Sequence, residues 1–339
     1  MHPLGTPGYG AAMRAVLCRQ YGPPESLTVE EIEDPTAKEG QVVVDVRACA
    51  VNFPDVLIIQ NLYQFKPPLP FSPGAEVAGV VRSAGSGVEG VRIGDRVFAS
   101  TGWGGLAEQI AVDARSLVPI PDGVEFGPAS AFLYAYGTAH YALKDRGRLR
   151  PGETLVVLGA AGGVGLAAVE LGSLMGATVI AAASSDDKLE LCRDYGAAKT
   201  INYAAEDLKT RIRELTGGVG ADVVYDPVGG AYSEPALRAT AWEGRFLVIG
   251  FAAGDIPTIP LNLTLLKGCD IVGVFWGAFV GREPERHRRN LEELVTWWRA
   301  GKLRPHVSAT YPLDRAGEAI RELADRRAKG KVVVAVGDG

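Results

Sequence analysis

The residues best placed to do chemistry form a glycine-rich turn, Gly159-Ala160-Ala161-Gly162-Gly163-Val164-Gly165. An apolar run over 154–158 leads into it, and 164–175 continues with apolar residues at helical spacing. A strand, a glycine turn and a helix in that order suit a dinucleotide. Gly162 would let the backbone approach a pyrophosphate, Gly165 would let the helix pack on the strand, and the helix N-terminus would stabilise the phosphate charge. The alignment is Ala160-x-Gly162-x-x-Gly165, with alanine in place of the usual first glycine. Glycine turns also serve tight packing, so the elements that follow must decide.

The next strand selects the cofactor. A site for NAD wants a carboxylate at the strand end, about 20 residues on, for the ribose 2′-hydroxyl. Here the strand ends Ala181-Ala182-Ala183-Ser184-Ser185, with Lys188 one turn later. Small residues leave room for a 2′-phosphate, serines donate hydrogen bonds and lysine adds charge, so NADP(H) is expected. The competing reading makes a serine the cap of the next helix and Lys188 a solvated residue. Asp186 and Asp187 also weigh against a phosphate, unless they point away from within the first helical turn.

These residues need a scaffold. Strand patterns at 154–159, 178–183, 199–202, 222–225, 245–249 and 270–275 alternate with helical patterns at 164–175, 187–195, 205–215 and 232–241. That alternation predicts a doubly wound parallel sheet, a Rossmann domain over 135–278. Before it, short strand patterns at 13–17, 27–32, 41–50, 75–84, 96–99 and 107–112 are separated by glycine and proline turns, as in a small barrel or irregular β domain. Beyond it come helical patterns at 289–299 and 315–326, and a last strand at 331–336 able to rejoin the β domain. The expected division is therefore a disordered leader at 1–12, a β domain from 13–134 and 279–339, and a cleft between domains for a small molecule.

A chain of 339 residues, 47% hydrophobic and 22% charged, has material for two cores. Its net charge of −5 offers no basic stripe for nucleic acid or anionic lipid. No apolar run approaches the roughly 20 residues that cross a bilayer. Cys18, Cys49, Cys192 and Cys269 form no CxxC pair and lie in or beside apolar runs, as buried free thiols do in a reducing cytoplasm.

Several segments resemble the medium-chain dehydrogenase/reductase superfamily, most closely its quinone oxidoreductase branch with the ζ-crystallin-like proteins. They are Asn52-Phe53-Pro54-Asp55, Tyr63, Pro70-Phe71-Ser72-Pro73-Gly74-Ala75-Glu76, Gly94-Asp95-Arg96-Val97, Gly104-Gly105-Leu106-Ala107-Glu108 and Tyr225-Asp226-Pro227-Val228-Gly229. The resemblance runs from about Met13 to the end. It implies a GroES-like catalytic domain beside the Rossmann domain, a small-molecule quinone or conjugated carbonyl as substrate, and often a homodimer. Asn52, Thr138, Ala161, Gly162, Gly163, Val164, Ser184, Lys188, Tyr203, Gly250, Phe251, Phe275, Trp276 and Arg326 would line the cofactor site. Tyr203 and Lys188 would flank the adenine ribose. Phe275 and Trp276 are equally suited to a sheet edge or a dimer contact.

The alcohol dehydrogenases of that superfamily carry a zinc-binding cysteine near the start of the Asn52–Asp55 segment and a histidine where Ala75 stands. The structural-zinc cysteines are also missing, since none lies between Cys49 and Cys192, and His2, His140, His287 and His306 are scattered. Zinc-free chemistry is expected. Tyr63, Asn52 and Asp55 are the candidate catalytic residues. Ile59, Asn61 and Leu57 replace the Arg, Gly and second Tyr common in the branch. Quinone reduction leads. Enoyl reduction, of a 2-alkenal or an enoyl thioester with Tyr63 as proton donor, is the alternative, with Tyr63 as mere packing beside it. A non-enzymatic NADPH-binding or RNA-contacting role, which some ζ-crystallin-like members take, is the remaining one.

Overall fold

The computed structural model describes residues 12–337. The expected leader therefore lies outside the described residues, apart from Ala12, which already opens the first strand. In chain order the strands are β1 (Ala12–Leu17), β2 (Thr28–Glu33), β3 (Gln41–Val51), β4 (Glu76–Ala84), β5 (Arg96–Ser100), β6 (Gln109–Asp113) and β7 (Val118–Pro119). Then come β8 (Thr154–Leu158), β9 (Thr178–Ala183), β10 (Lys199–Asn202), β11 (Ala221–Asp226), β12 (Thr240–Val248) and β13 (Asp270–Gly273), and finally β14 (Val307–Pro312) and β15 (Lys331–Ala335).

The chain divides into two compact units, one holding 12–131, 307–327 and 331–337, the other Phe132–His306 with Ala328–Gly330. In the first, β3 carries the architecture. Its eleven residues pair with β4, β6 and β15, all antiparallel, in a sheet ordered β14-β15-β3-β4-β5-β7. Val42 and Val44 point into one cluster with Val81, Val97 and Val112, while Ala48 and Ala50 meet Ala131 and Val333 in another. The last strand thus rejoins the N-terminal β unit, as its pattern predicts.

The second unit is an all-parallel sheet ordered β10-β9-β8-β11-β12-β13. The order reverses between β8 and β11, the place where doubly wound sheets bind nucleotides. Val156, Leu158, Ile180, Ala182, Ile201, Val224 and Phe246 are buried in one cluster with helices Leu208–Leu215 and Ser233–Arg238.

Three readings need correction. The helix expected over 232–241 stops at Arg238, because from Thr240 the chain pairs with β11. The strand expected to reach 275 stops at Gly273, and after Val274 bonds back to Val248 the chain enters helix Trp276–Arg282. Residues 279–306 belong with the parallel sheet and not with the β unit, which itself ends at 131. Helix Pro284–Arg299 explains this: Trp298 stacks on Phe132 at 4.2 Å, and Asn290 donates to Asp145 at 2.6 Å.

Candidate functional site

The glycine turn links β8 to helix Gly163–Leu174, whose N-cap is Gly162. A methyl group at Gly165 would stand 2.3 Å from the Gly159 carbonyl oxygen and 2.9 Å from Ala160 Cα, so only glycine lets the helix start this close to the strand. At Gly162 a methyl would meet only Gly159 O, at 3.4 Å, leaving that side of the backbone open to a ligand. The first-turn N–H groups of a helix have no partner within it, so Gly163, Val164 and Gly165 supply donors suited to phosphate. Ala161 is buried behind them.

The ends of β9 and β10 lie together. Tyr203 donates its backbone N–H to Ala183 O at 3.1 Å, and its ring packs on Tyr232 at 4.4 Å. Lys188 Nζ reaches Ser184 Oγ at 3.3 Å. Both aspartates lie in the first turn of helix Asp186–Asp194 and both are engaged: Asp186 accepts from Asn202 Nδ2 at 2.9 Å, and Asp187 pairs with Lys329. Ser184, Lys188 and Tyr203 are thus brought together at one strand end.

At the C-terminal end of β11, buried Asp226 accepts from the backbone N–H groups of Val228 (2.8 Å) and Gly229 (2.9 Å) and from Ser233 Oγ (2.6 Å). Burial raises its pKa, and these three donors oppose the rise. The loop it shapes after β11 lies against the loop after β12 that carries Gly250 and Phe251: a Cβ at Gly229 would stand 2.8 Å from the Phe251 ring. Thr138 follows Gly137, where buried Trp276 stands so close that a Cβ would lie 2.8 Å from its ring. Trp276 is therefore a packing side chain, while Phe275 is exposed.

In the β unit, Asn52 caps the short helix Phe53–Ile58. The Asp55 carboxylate accepts the Asn52 backbone N–H at 2.8 Å and the Gly74 N–H at 2.9 Å. Complete burial nevertheless raises its pKa to about 6, with the two backbone donors working against the rise. The Asn52 side chain receives Lys331 Nζ at 2.5 Å and donates to Glu76 Oε2 at 3.2 Å, and Lys331 also reaches Glu76 at 3.1 Å. All three are buried. Sequence reasoning missed Lys331. The one signal was a charged residue opening an otherwise apolar strand.

This cluster does not fit a zinc ion. Asn52 is a neutral amide, Ala75 has no donor atom, and the Lys331 ammonium already stands against Glu76. Among the described residues, no three His, Cys, Asp or Glu side chains converge as a metal site requires. Tyr63 is half-buried, edge-on to Phe65 at 5.9 Å, and its phenol pKa is raised by burial first and by the Asp55 charge second. Arg326 is exposed just past helix Ala316–Ala324 with φ +57°. The four cysteines are buried free thiols.

Comparison with known proteins agrees with this architecture. Residues 38–122 match the alcohol dehydrogenase GroES-like domain and 163–296 the zinc-binding dehydrogenase domain. The quinone oxidoreductase-like protein 2 homolog of Nematostella vectensis is 40% identical over 336 residues, covering 98% of this chain and 90% of its own. A probable oxidoreductase from Mycobacterium abscessus superposes with a TM-score of 0.85 at 38% identity, covering 96% of this chain and 100% of its own. Escherichia coli quinone oxidoreductase complexed with NADPH gives a TM-score of 0.88 at 28% identity, covering 95% and 99%. The fold and the glycine turn define a nucleotide-dependent oxidoreductase with a GroES-like domain. The chain belongs to the medium-chain dehydrogenase/reductase superfamily, in its quinone oxidoreductase branch.

Proposed function

We propose that this protein is a zinc-independent, NADPH-dependent reductase that delivers hydride to a quinone. The observation that carries it is the end of β9, where Ser184 and Lys188 meet beside Tyr203 and the nearby carboxylates, Asp186 and Asp187, are held by other partners. The NADPH-bound relative supports the same cofactor. Bound NADPH supplies the hydride. The chain's part is to seat the phosphates on the turn at 162–165 and to hold the reacting rings in a dry pocket. A quinone takes its proton on oxygen from water, so no dedicated acid is required. The Lys331–Asn52–Glu76 cluster, with its resident cation, supports working without zinc.

Tyr63 favours a second reading, enoyl reduction. Its phenol is kept protonated by burial and by Asp55, as a donor to an α-carbon must be. The outer strand β13, with Ile271 exposed, supports a two-fold dimer. The primary test is NADPH consumption with 1,4-benzoquinone, 9,10-phenanthrenequinone, a 2-alkenal and crotonyl-CoA, side by side. Turnover is expected with the quinones. Turnover only with the enoyl substrates transfers the assignment to the second reading.

A further inference from the structure

The segment Ala328–Gly330 belongs to the nucleotide-binding unit although it lies far along the chain from the glycine turn. Gly330 pins it there: its N–H donates to Ala161 O at 2.7 Å, and it forms a parallel bridge with Gly162. Gly330 has φ +83°, and a Cβ would meet His306 Cδ2 at 2.6 Å and His306 O at 2.7 Å, so the register is fixed. Lys329 is thereby held one residue from the turn and extends its ammonium to Asp187, in the first turn after β9. Lys188, on that same helix, reaches Ser184. Two lysines from distant parts of the chain therefore flank one strand end.

We propose that Lys329 is a specificity-determining residue for the cofactor, a second cation for the 2′-phosphate that exchanges Asp187 for it. The inference rests on the NADP(H) reading above. Without a phosphate Lys329 is held by Asp187, whose carboxyl this bond and a second one from Ser185 keep well below its ordinary range; when the lysine turns to the phosphate, the Ser185 hydroxyl is still in place to hold Asp187. A phosphate monoester offers a greater charge and three acceptor oxygens, so it competes well for an exposed ammonium. Both side chains of the pair are about half-exposed, which leaves the lysine room to turn.

Calorimetric titration with adenosine 2′,5′-bisphosphate and 5′-AMP tests this without turnover. Lys329→Ala should weaken the bisphosphate about tenfold, the loss expected of one charge-assisted hydrogen bond, and 5′-AMP by less than about twofold. Lys329→Arg should retain most of the affinity, and Asp187→Asn should tighten the bisphosphate by removing the competitor. The loss must persist when Lys329→Ala is made in the Asp187→Asn background. If it vanishes there, Lys329 merely screens Asp187 and the proposal is overturned. If the wild type prefers the bisphosphate but Lys329→Ala matches it, this proposal alone fails. If the wild type binds both nucleotides equally, the NADP(H) reading fails with it.

Discussion

At the scale of single residues, buried Asp55 and half-buried Tyr63 make separable predictions although the Asp55 charge acts on the Tyr63 phenol. Tyr63 matters only where a carbon must be protonated. Tyr63→Phe should therefore abolish reduction of a 2-alkenal or crotonyl-CoA while quinone turnover stays within about twofold of wild type, since removing a general acid typically costs 10²–10⁴-fold. Equal persistence of both activities leaves Tyr63 as packing. Asp55 has a pKa raised from 3.8 to about 6, so between those values the folded protein holds a proton that the unfolded chain has released. Its contribution to stability is complete below the unfolded value and is lost as pH rises through about 6. Asp55→Asn does not titrate. The gap in Tm between wild type and Asp55→Asn should thus be widest near pH 4 and narrow as pH rises to 7. Thermal melts across that range check the sign, and a widening gap refutes it.

At the scale of elements, the glycine turn separates folding from binding. Gly165→Ala forces a Cβ against the Gly159 carbonyl oxygen at 2.3 Å and should cost about 1–3 kcal/mol of stability, read as a lower denaturant midpoint. Gly162→Ala meets only an ordinary contact at 3.4 Å, so its midpoint should hardly move while NADPH affinity falls. If both variants lose stability alike, the division of labour between the two glycines is wrong. This turn was legible because strands buried on both faces leave unbroken apolar runs, as β8 and β9 do, and a glycine cluster between such a strand and a helix has few other uses. β14 was not. Its burial alternates, and Val-Ser-Ala-Thr-Tyr-Pro reads as loop until β15 is there to pair with it. Lys331 and Lys329 were hidden for a related reason. A lysine beside a strand is normally solvated, and nothing local announces partners 279 and 255 residues away, as Asn52 and Glu76 are from Lys331. The boundary at 279 failed because a helix with an apolar face says that it packs, not on what.

At the scale of the whole molecule, the question is what covers the last strand of the parallel sheet. β13 pairs with β12 on one side, and the adjoining helix Asn262–Lys267 leaves Leu265 and Leu266 mostly exposed, with Ile271 partly so. Exposed apolar side chains beside a sheet edge invite pairing, and a self-complementary two-fold contact closes on itself where a head-to-tail one would build fibres. A second copy of this chain, placing β13 against β13, would satisfy both the backbone edge and the leucines. The relevant side chains are exposed in the single chain, so replacing them should leave its core intact. Ile271→Glu with Leu265→Glu brings four carboxylates to a two-fold contact, where like charges repel and desolvation penalises each. Light scattering behind size-exclusion chromatography should give a dimer for wild type and a monomer for the double variant, with an unchanged far-ultraviolet spectrum. If the variant remains dimeric, the contact lies elsewhere. If wild type is monomeric at micromolar concentration, the edge must be tolerated by other means, and the short four-residue length of β13 becomes the feature that protects it.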